Sequence, residues 1–168
     1  MARSNPWSDL AYRSLEAPWS EALELFSFAG AWAPPPGSVE SGWGAWDGSR
    51  LLGALLVEPA GPAAMLHGPV VVAPSDAPPE QALDAAARLV AEALGQVQAA
   101  GIATVFARPQ GLDRVWVRSG FIPVPEAELP AGFRGRPGLG LFGWRGGTAL
   151  WSTAGRGAPR SAATTDSR

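Results

Sequence analysis

The chain has 168 residues, 46% of them hydrophobic, a formal net charge of −2 and no cysteine. That length suits one domain with a real core, and the charge argues against a broad nucleic-acid or anionic-membrane surface. Disulfides, thiol nucleophiles and thiolate metal sites are excluded, and because all 13 basic residues are arginine, so are a lysine Schiff base and a phosphate-binding lysine.

Residues 1–9 are polar and without periodicity, which predicts a flexible terminus. Leu10 to Leu15 reads as a first strand. Pro18 suits the first turn of a helix in which Trp19, Leu23, Phe26 and Ala29 are helically spaced, ending near Gly30. Ala33 to Gly37 (APPPG) cannot continue it, because consecutive prolines lack backbone donors. That segment reads either as a partner-recognition element or as a stiff loop over the core. Trp43–Trp46 and Leu51–Glu58 flank Asp47-Gly48-Ser49-Arg50, a strand–turn–strand signature. Pro59 to Pro62 predicts a second turn into a strand over Ala64–Ala73, whose β-branched end from Pro69 suggests burial on both faces.

The clearest periodic signal follows. Leu83, Ala87, Val90, Leu94 and Val97 alternate in steps of four and three and predict the apolar stripe of a long helix. Asp84, Arg88 and Glu92 form a charged row on another face, and Gly101 stops the helix. Ile102–Ala107 then reads as a strand, Leu112–Ser119 as a short helix closed by Gly120, and Phe121–Val124 as a strand. Pro125–Pro137 reads as loop and Leu139–Trp144 as a last strand, with Thr148–Trp151 extending or pairing with it. From residue 153 apolar bulk vanishes, which predicts a disordered tail behind a single domain over residues 10–152. The fold class is mixed α/β: an antiparallel N-terminal meander with a central strand–long helix–strand unit. No run of about 18 apolar residues occurs and the start lacks a signal-peptide layout, so the expected location is cytoplasmic.

His67, the only histidine, is a candidate general base, since an imidazole titrates at about 6.5; packing in the core is the alternative. Glu58, at the end of the preceding strand, can face the same cleft or be a solvated strand end. Arg134 and Arg136, in FRGRPG, can grip a phosphate or carboxylate, or simply be solvated. Gly138-x-Gly140-x-x-Gly143 matches a dinucleotide fingerprint in letters only, because it falls inside a predicted strand and opens no helix. The 8 tryptophans are dispersed with no basic run between them, which favours packing over nucleic-acid stacking.

Three stretches carry a resemblance: LLGALLV at Leu51–Val57, VVVAP at Val70–Pro74 ahead of the long helix, and VWVRSGF at Val115–Phe121. In this order the chain, from about Leu10 to Trp151, resembles the GNAT superfamily of N-acetyltransferases. The resemblance implies transfer of an acetyl or other acyl group from acyl-CoA to a small-molecule or peptide amine by direct attack. It implies a monomer or homodimer with no metal, nucleic-acid or membrane partner. The family's general base varies and a water can serve, so His67 and Glu58 stay the candidate catalytic positions read from the residues themselves. Coenzyme contacts are implied at Val70, Val71 and Val72 on the strand, and at Ser75, Ala77, Pro78, Pro79, Glu80 and Gln81 before and in the helix start. Trp116 is a further implied contact.

Two positions depart from the family pattern. Where the family has glycines whose amides cradle a pyrophosphate, this chain has Pro78 and Pro79, which lack N–H groups, and the anionic Glu80. Where many members have a tyrosine that protonates the leaving thiolate, Trp116 stands, and an indole supplies no such acid. The alternative expectation is therefore a GNAT-fold protein with a degenerate coenzyme loop, acting as a ligand- or protein-binding module.

Overall fold

A computed structural model describes residues 9–102, 104–107, 113–136 and 150–152. The predicted strand at Leu139–Trp144, the glycine motif at 138–143, the flexible start and the tail from 153 lie outside the described residues. The elements in order are β1 (Ala11–Leu15), α1 (Ser20–Phe28), β2 (Ser41–Asp47), β3 (Arg50–Ala60), β4 (Ala63–Val71), α2 (Pro79–Ala99), β5 (Thr104–Ala107), α3 (Asp113–Arg118), β6 (Ile122–Val124) and β7 (Leu150–Ser152). The described strands form one sheet in the order β1-β2-β3-β4-β5-β7-β6. All neighbours are antiparallel except β4 and β5, which α2 joins as a crossover. The mixed α/β class and its central strand–helix–strand unit are as the chain's periodicity predicts.

Residue alternation explains the two faces. Leu55 and Val57 on β3 and Ala64 and Leu66 on β4 pack with Ala86, Leu89, Val90, Ala93 and Val97 of α2. On the opposite face Ala54 and Leu56 meet Ala22 and Phe26 of α1. Farther along that face, Ala63 and Met65 meet Leu129 and Phe133. Leu89 and Phe26 have no exposed surface; burying one such side chain contributes roughly 1.5–3 kcal/mol.

The helix stripe is displaced from its predicted line. Ala85, Ala86, Leu89, Val90, Ala93 and Val97 are buried, whereas Leu83, Ala87 and Leu94 are only partly covered. The buried line keeps Val90 and Val97 but is turned toward Ala85, Ala86, Leu89 and Ala93, so Leu83, Ala87 and Leu94 flank the contact. Burial on both faces likewise stops short of the predicted strand end, since Val70 is buried but residues 71–73 are partly exposed.

A tight turn and a break in register shape the centre of the sheet. Gly48, at φ +58°, leads the two-residue turn that lets Asp47 face Arg50. On β4, Val70 faces Ala54 but His67 faces Leu56, so Gly68 and Pro69 together oppose Leu55 as a β-bulge. Only glycine suits the first bulge position: φ is +91°, and a Cβ there would lie 2.9 Å from the Ala54 carbonyl oxygen. The extra residue resets the alternation, so His67 and Val70, three apart, lie on the same face.

The second predicted turn is shorter than expected. Proline tolerates a strand where no ladder donor is needed, and β3 runs through Pro59 to Ala60, leaving only residues 61 and 62 for the turn. Glu58 is therefore inside a paired strand, opposite Met65. The Pro125–Pro137 loop contains two 3-10 turns, Glu126–Glu128 and Ala131–Phe133. Phe133 and Leu129 anchor this segment to the sheet, and we refer to residues 125–136 as the strap. Among the described residues no helix is long and apolar enough to cross a membrane.

Candidate functional site

Glu58 and His67 reach one another diagonally across the β3–β4 ladder on the face that carries α1 and the strap. Glu58 is 5% exposed and His67 0%, so the expectation of a solvated Glu58 at a strand end is corrected. The His67 Nε2 atom lies 2.8 Å from Glu58 Oε2. Arg136, 78 residues farther along the chain, closes the cluster from the strap: Nη1 donates to Oε2 at 2.6 Å and Nη2 to Oε1 at 2.5 Å. Nη2 also donates to the Gly132 carbonyl at 2.7 Å, and the guanidinium lies 5.2 Å from the centre of the Phe133 ring. Of the two readings of Arg136, the carboxylate grip is the one found, and the carboxylate is the chain's own. Arg134 instead ties the strap to itself, donating to the Leu129 and Ala127 carbonyls, each at 2.8 Å.

Burial alone would push the Glu58 carboxyl up. The Arg136 hydrogen bonds, the His67 hydrogen bond and the adjacent positive charge outweigh it and hold the carboxyl down at about 2. Glu58 is accordingly an anion at neutral pH. An anionic acceptor at Oε2 favours a hydrogen on His67 Nε2.

The strand amides expected to face a carbonyl are not equivalent. The Val72 N–H donates to the Leu52 carbonyl at 2.8 Å and is committed to β3. In an antiparallel ladder successive amides point to opposite edges, so the Val71 N–H points away from β3, toward the β5 side. Val70 faces Ala54 across the same ladder, and its side chain packs toward α1. The described pairing with β5 covers Ala63–Leu66 against Thr104–Ala107, just before the bulge.

The start of α2 does not fit a diphosphate. Pro78 and Pro79 carry no N–H, the Ala77 N–H donates to the Pro74 carbonyl at 3.0 Å, and the Gln81 N–H to the Pro78 carbonyl at 3.1 Å. Glu80 adds a carboxylate to the first turn. Proline and an acidic residue there are good helix-starting chemistry and poor anion-binding chemistry. Trp116 is buried in the α2-side core, its ring edge-on to Phe121 with centroids 4.9 Å apart. Its indole Nε1 has no hydrogen-bond partner among the described residues. A shallow groove lined by Tyr12, Gln81, Asp84 and Arg88 runs beside α2, with no residue from the Glu58 cluster.

The sequence allowed His67 and Glu58 to share a cleft but gave no sign that Arg136 joins them. No local signal announces a contact between residues 78 apart.

The strand order, the β4–α2–β5 crossover and the bulge on β4 define a mixed α/β domain with the fold of the GNAT N-acyltransferases. The gonococcal N-acetylglutamate synthase (Neisseria gonorrhoeae), solved with coenzyme A and N-acetyl-glutamate, matches 86% of the chain at 14% identity and a TM-score of 0.61. The match covers 34% of that protein, so the chain spans about a third of its length. A GNAT-family acetyltransferase from Staphylococcus aureus matches 86% of this chain and 98% of its own, at 9% identity and a TM-score of 0.61. The ribosomal-protein-S18-alanine N-acetyltransferase of Escherichia coli matches 86% and 92%, at 12% identity and a TM-score of 0.56. No protein-family model matches the chain, and no curated protein does.

Proposed function

We propose that the chain is a GNAT-type N-acyltransferase in which an amine directly attacks an acyl thioester, the donor being acetyl-CoA or another acyl-CoA. The observation that carries this reading is the buried Glu58–His67 pair, set beside the β4 bulge in a domain of this fold. An amine that is protonated at neutral pH must lose a proton before it can attack. The His67 imidazole is the candidate that takes it, and the Glu58 carboxylate orients the ring and stabilises the imidazolium that results. The Val71 N–H polarises the acyl carbonyl. The acceptor is a small-molecule or peptide amine, and the expected setting is cytoplasmic.

One observation favours a second reading. Because the start of α2 lacks a diphosphate cradle, a GNAT-fold module that binds a ligand or protein without catalysis is the alternative. Coenzyme titration separates the two. Acetyl-CoA at 100 times its dissociation constant should stabilise the fold by about 2.7 kcal/mol, and His67→Gln should lower turnover by about 10²–10⁴-fold. No change of melting temperature at millimolar acetyl-CoA, together with no acyl transfer to an amine panel, would favour the module.

A further inference from the structure

We infer that Glu58 is the anchor of a binding site for a small organic cation, an alkylguanidinium or alkylammonium, and that Arg136 plugs this site from within. A carboxylate as buried as Glu58 stays ionised only with a cation beside it, because an isolated buried charge is very costly. What surrounds the Arg136 head group is the full set of contacts such a cation takes. There is a carboxylate gripped through both oxygens, a carbonyl acceptor at Gly132 and the face of the Phe133 ring. The receptor is thus assembled from β3 and the strap, and His67 fixes the carboxylate from behind.

The strap has anchors besides Arg136. Phe133 and Leu129 pack on Met65 and Phe106, Arg134 bonds two strap carbonyls, and the Gly135 N–H donates to Glu126 Oε1 at 2.9 Å. The Arg136 side chain is still 15% exposed, so the plug stands at the surface and not in the depth of the core. An external cation can therefore replace it without unfolding the segment that holds the aromatic wall. Naming this cation as the acyl acceptor rests on the acyltransferase reading; the cation site does not.

The test uses methylguanidinium as the probe, with tetramethylammonium at equal concentration as the ionic control, on the full chain. Arg136→Ala should bind methylguanidinium by calorimetry at millimolar concentration and gain several degrees in melting temperature over the control. The wild-type chain, whose plug competes, should bind at least tenfold more weakly, and the Arg136→Ala/Glu58→Gln double variant should not respond. Equal binding by all three chains, or no specific response of Arg136→Ala, overturns the proposal. Should Arg136→Ala not fold in buffer, recovery of its fold by methylguanidinium is the supporting result and failure to recover it overturns the site. Acyl transfer from acetyl-CoA to a panel of amines, butylamine among them, is then measured separately. Cation binding without turnover defeats the acyltransferase reading alone, and turnover without cation binding defeats the site alone.

Discussion

Glu58 and His67 stand on neighbouring antiparallel strands without facing one another: Glu58 is opposite Met65, His67 is opposite Leu56, and 2.8 Å separates Oε2 from Nε2. The diagonal places both side chains on one sheet face and within a single hydrogen bond. Arg136 completes the cluster, so its three members are coupled. Glu58→Ala should cost about 3–5 kcal/mol, because it strands a partly buried guanidinium. The Glu58→Leu/Arg136→Leu double variant should cost far less than the sum of the singles. Urea midpoints at unchanged slope measure both.

Acid should weaken the fold through the same carboxyl. Folding lowers Glu58 from 4.5 to about 2, so between those values the unfolded chain binds more protons than the folded one. Stability from this group is fully present above 4.5 and is lost as the pH falls toward 2. Denaturation followed from pH 6 to pH 2 should show this loss in the wild type, and Glu58→Gln should lack that component of the slope.

Gly68 holds the bulge that sets the position of His67 relative to Val70. A Cβ there would meet the Ala54 carbonyl at 2.9 Å and the Val70 nitrogen at 3.0 Å, both backbone atoms. Gly68→Ala should therefore destabilise the chain by about 1–3 kcal/mol or more. If the variant melts within a degree of the wild type, the bulge is not the strained position described.

Phe133 is 1% exposed and pins the strap to Met65 and Phe106. Phe133→Ala should cost about 3–5 kcal/mol. Hydrogen exchange over residues 125–136 should accelerate more than exchange in α2, since the lost contact belongs to the strap.

Opening the start of α2 should strengthen a diphosphate ligand. Replacing Pro78 and Glu80 with glycine restores an amide, removes a carboxylate and lets the backbone approach closely. Coenzyme A affinity of the double variant should rise at least tenfold by calorimetry. The helix start should lose about 1 kcal/mol as its acidic first-turn residue goes.

Much of this molecule was legible in local pattern. The hairpin at Asp47–Arg50, the long helix closing at Gly101 and the short helix before Gly120 follow from turn chemistry and spacing that neighbours in the chain impose. The failures are also local in origin. Pro59 reads as a turn signal, yet pairing with β4 keeps it in a strand. The stripe through Leu83, Ala87, Val90, Leu94 and Val97 reads as the buried face of α2, yet only Val90 and Val97 of it are buried, beside Ala85, Ala86, Leu89 and Ala93.

By itself, the sequence determined the order of elements from β1 to β6, the α/β class and the poor anion chemistry of Pro78, Pro79 and Glu80. Each depends on backbone preference or on charge that residues carry wherever they lie. Only the tertiary structure decided which chemistry converges. Glu58, His67 and Arg136 are separate letters until strand register and the strap bring them within hydrogen-bonding distance. The cost of burying one carboxylate then requires the cation that closes the site.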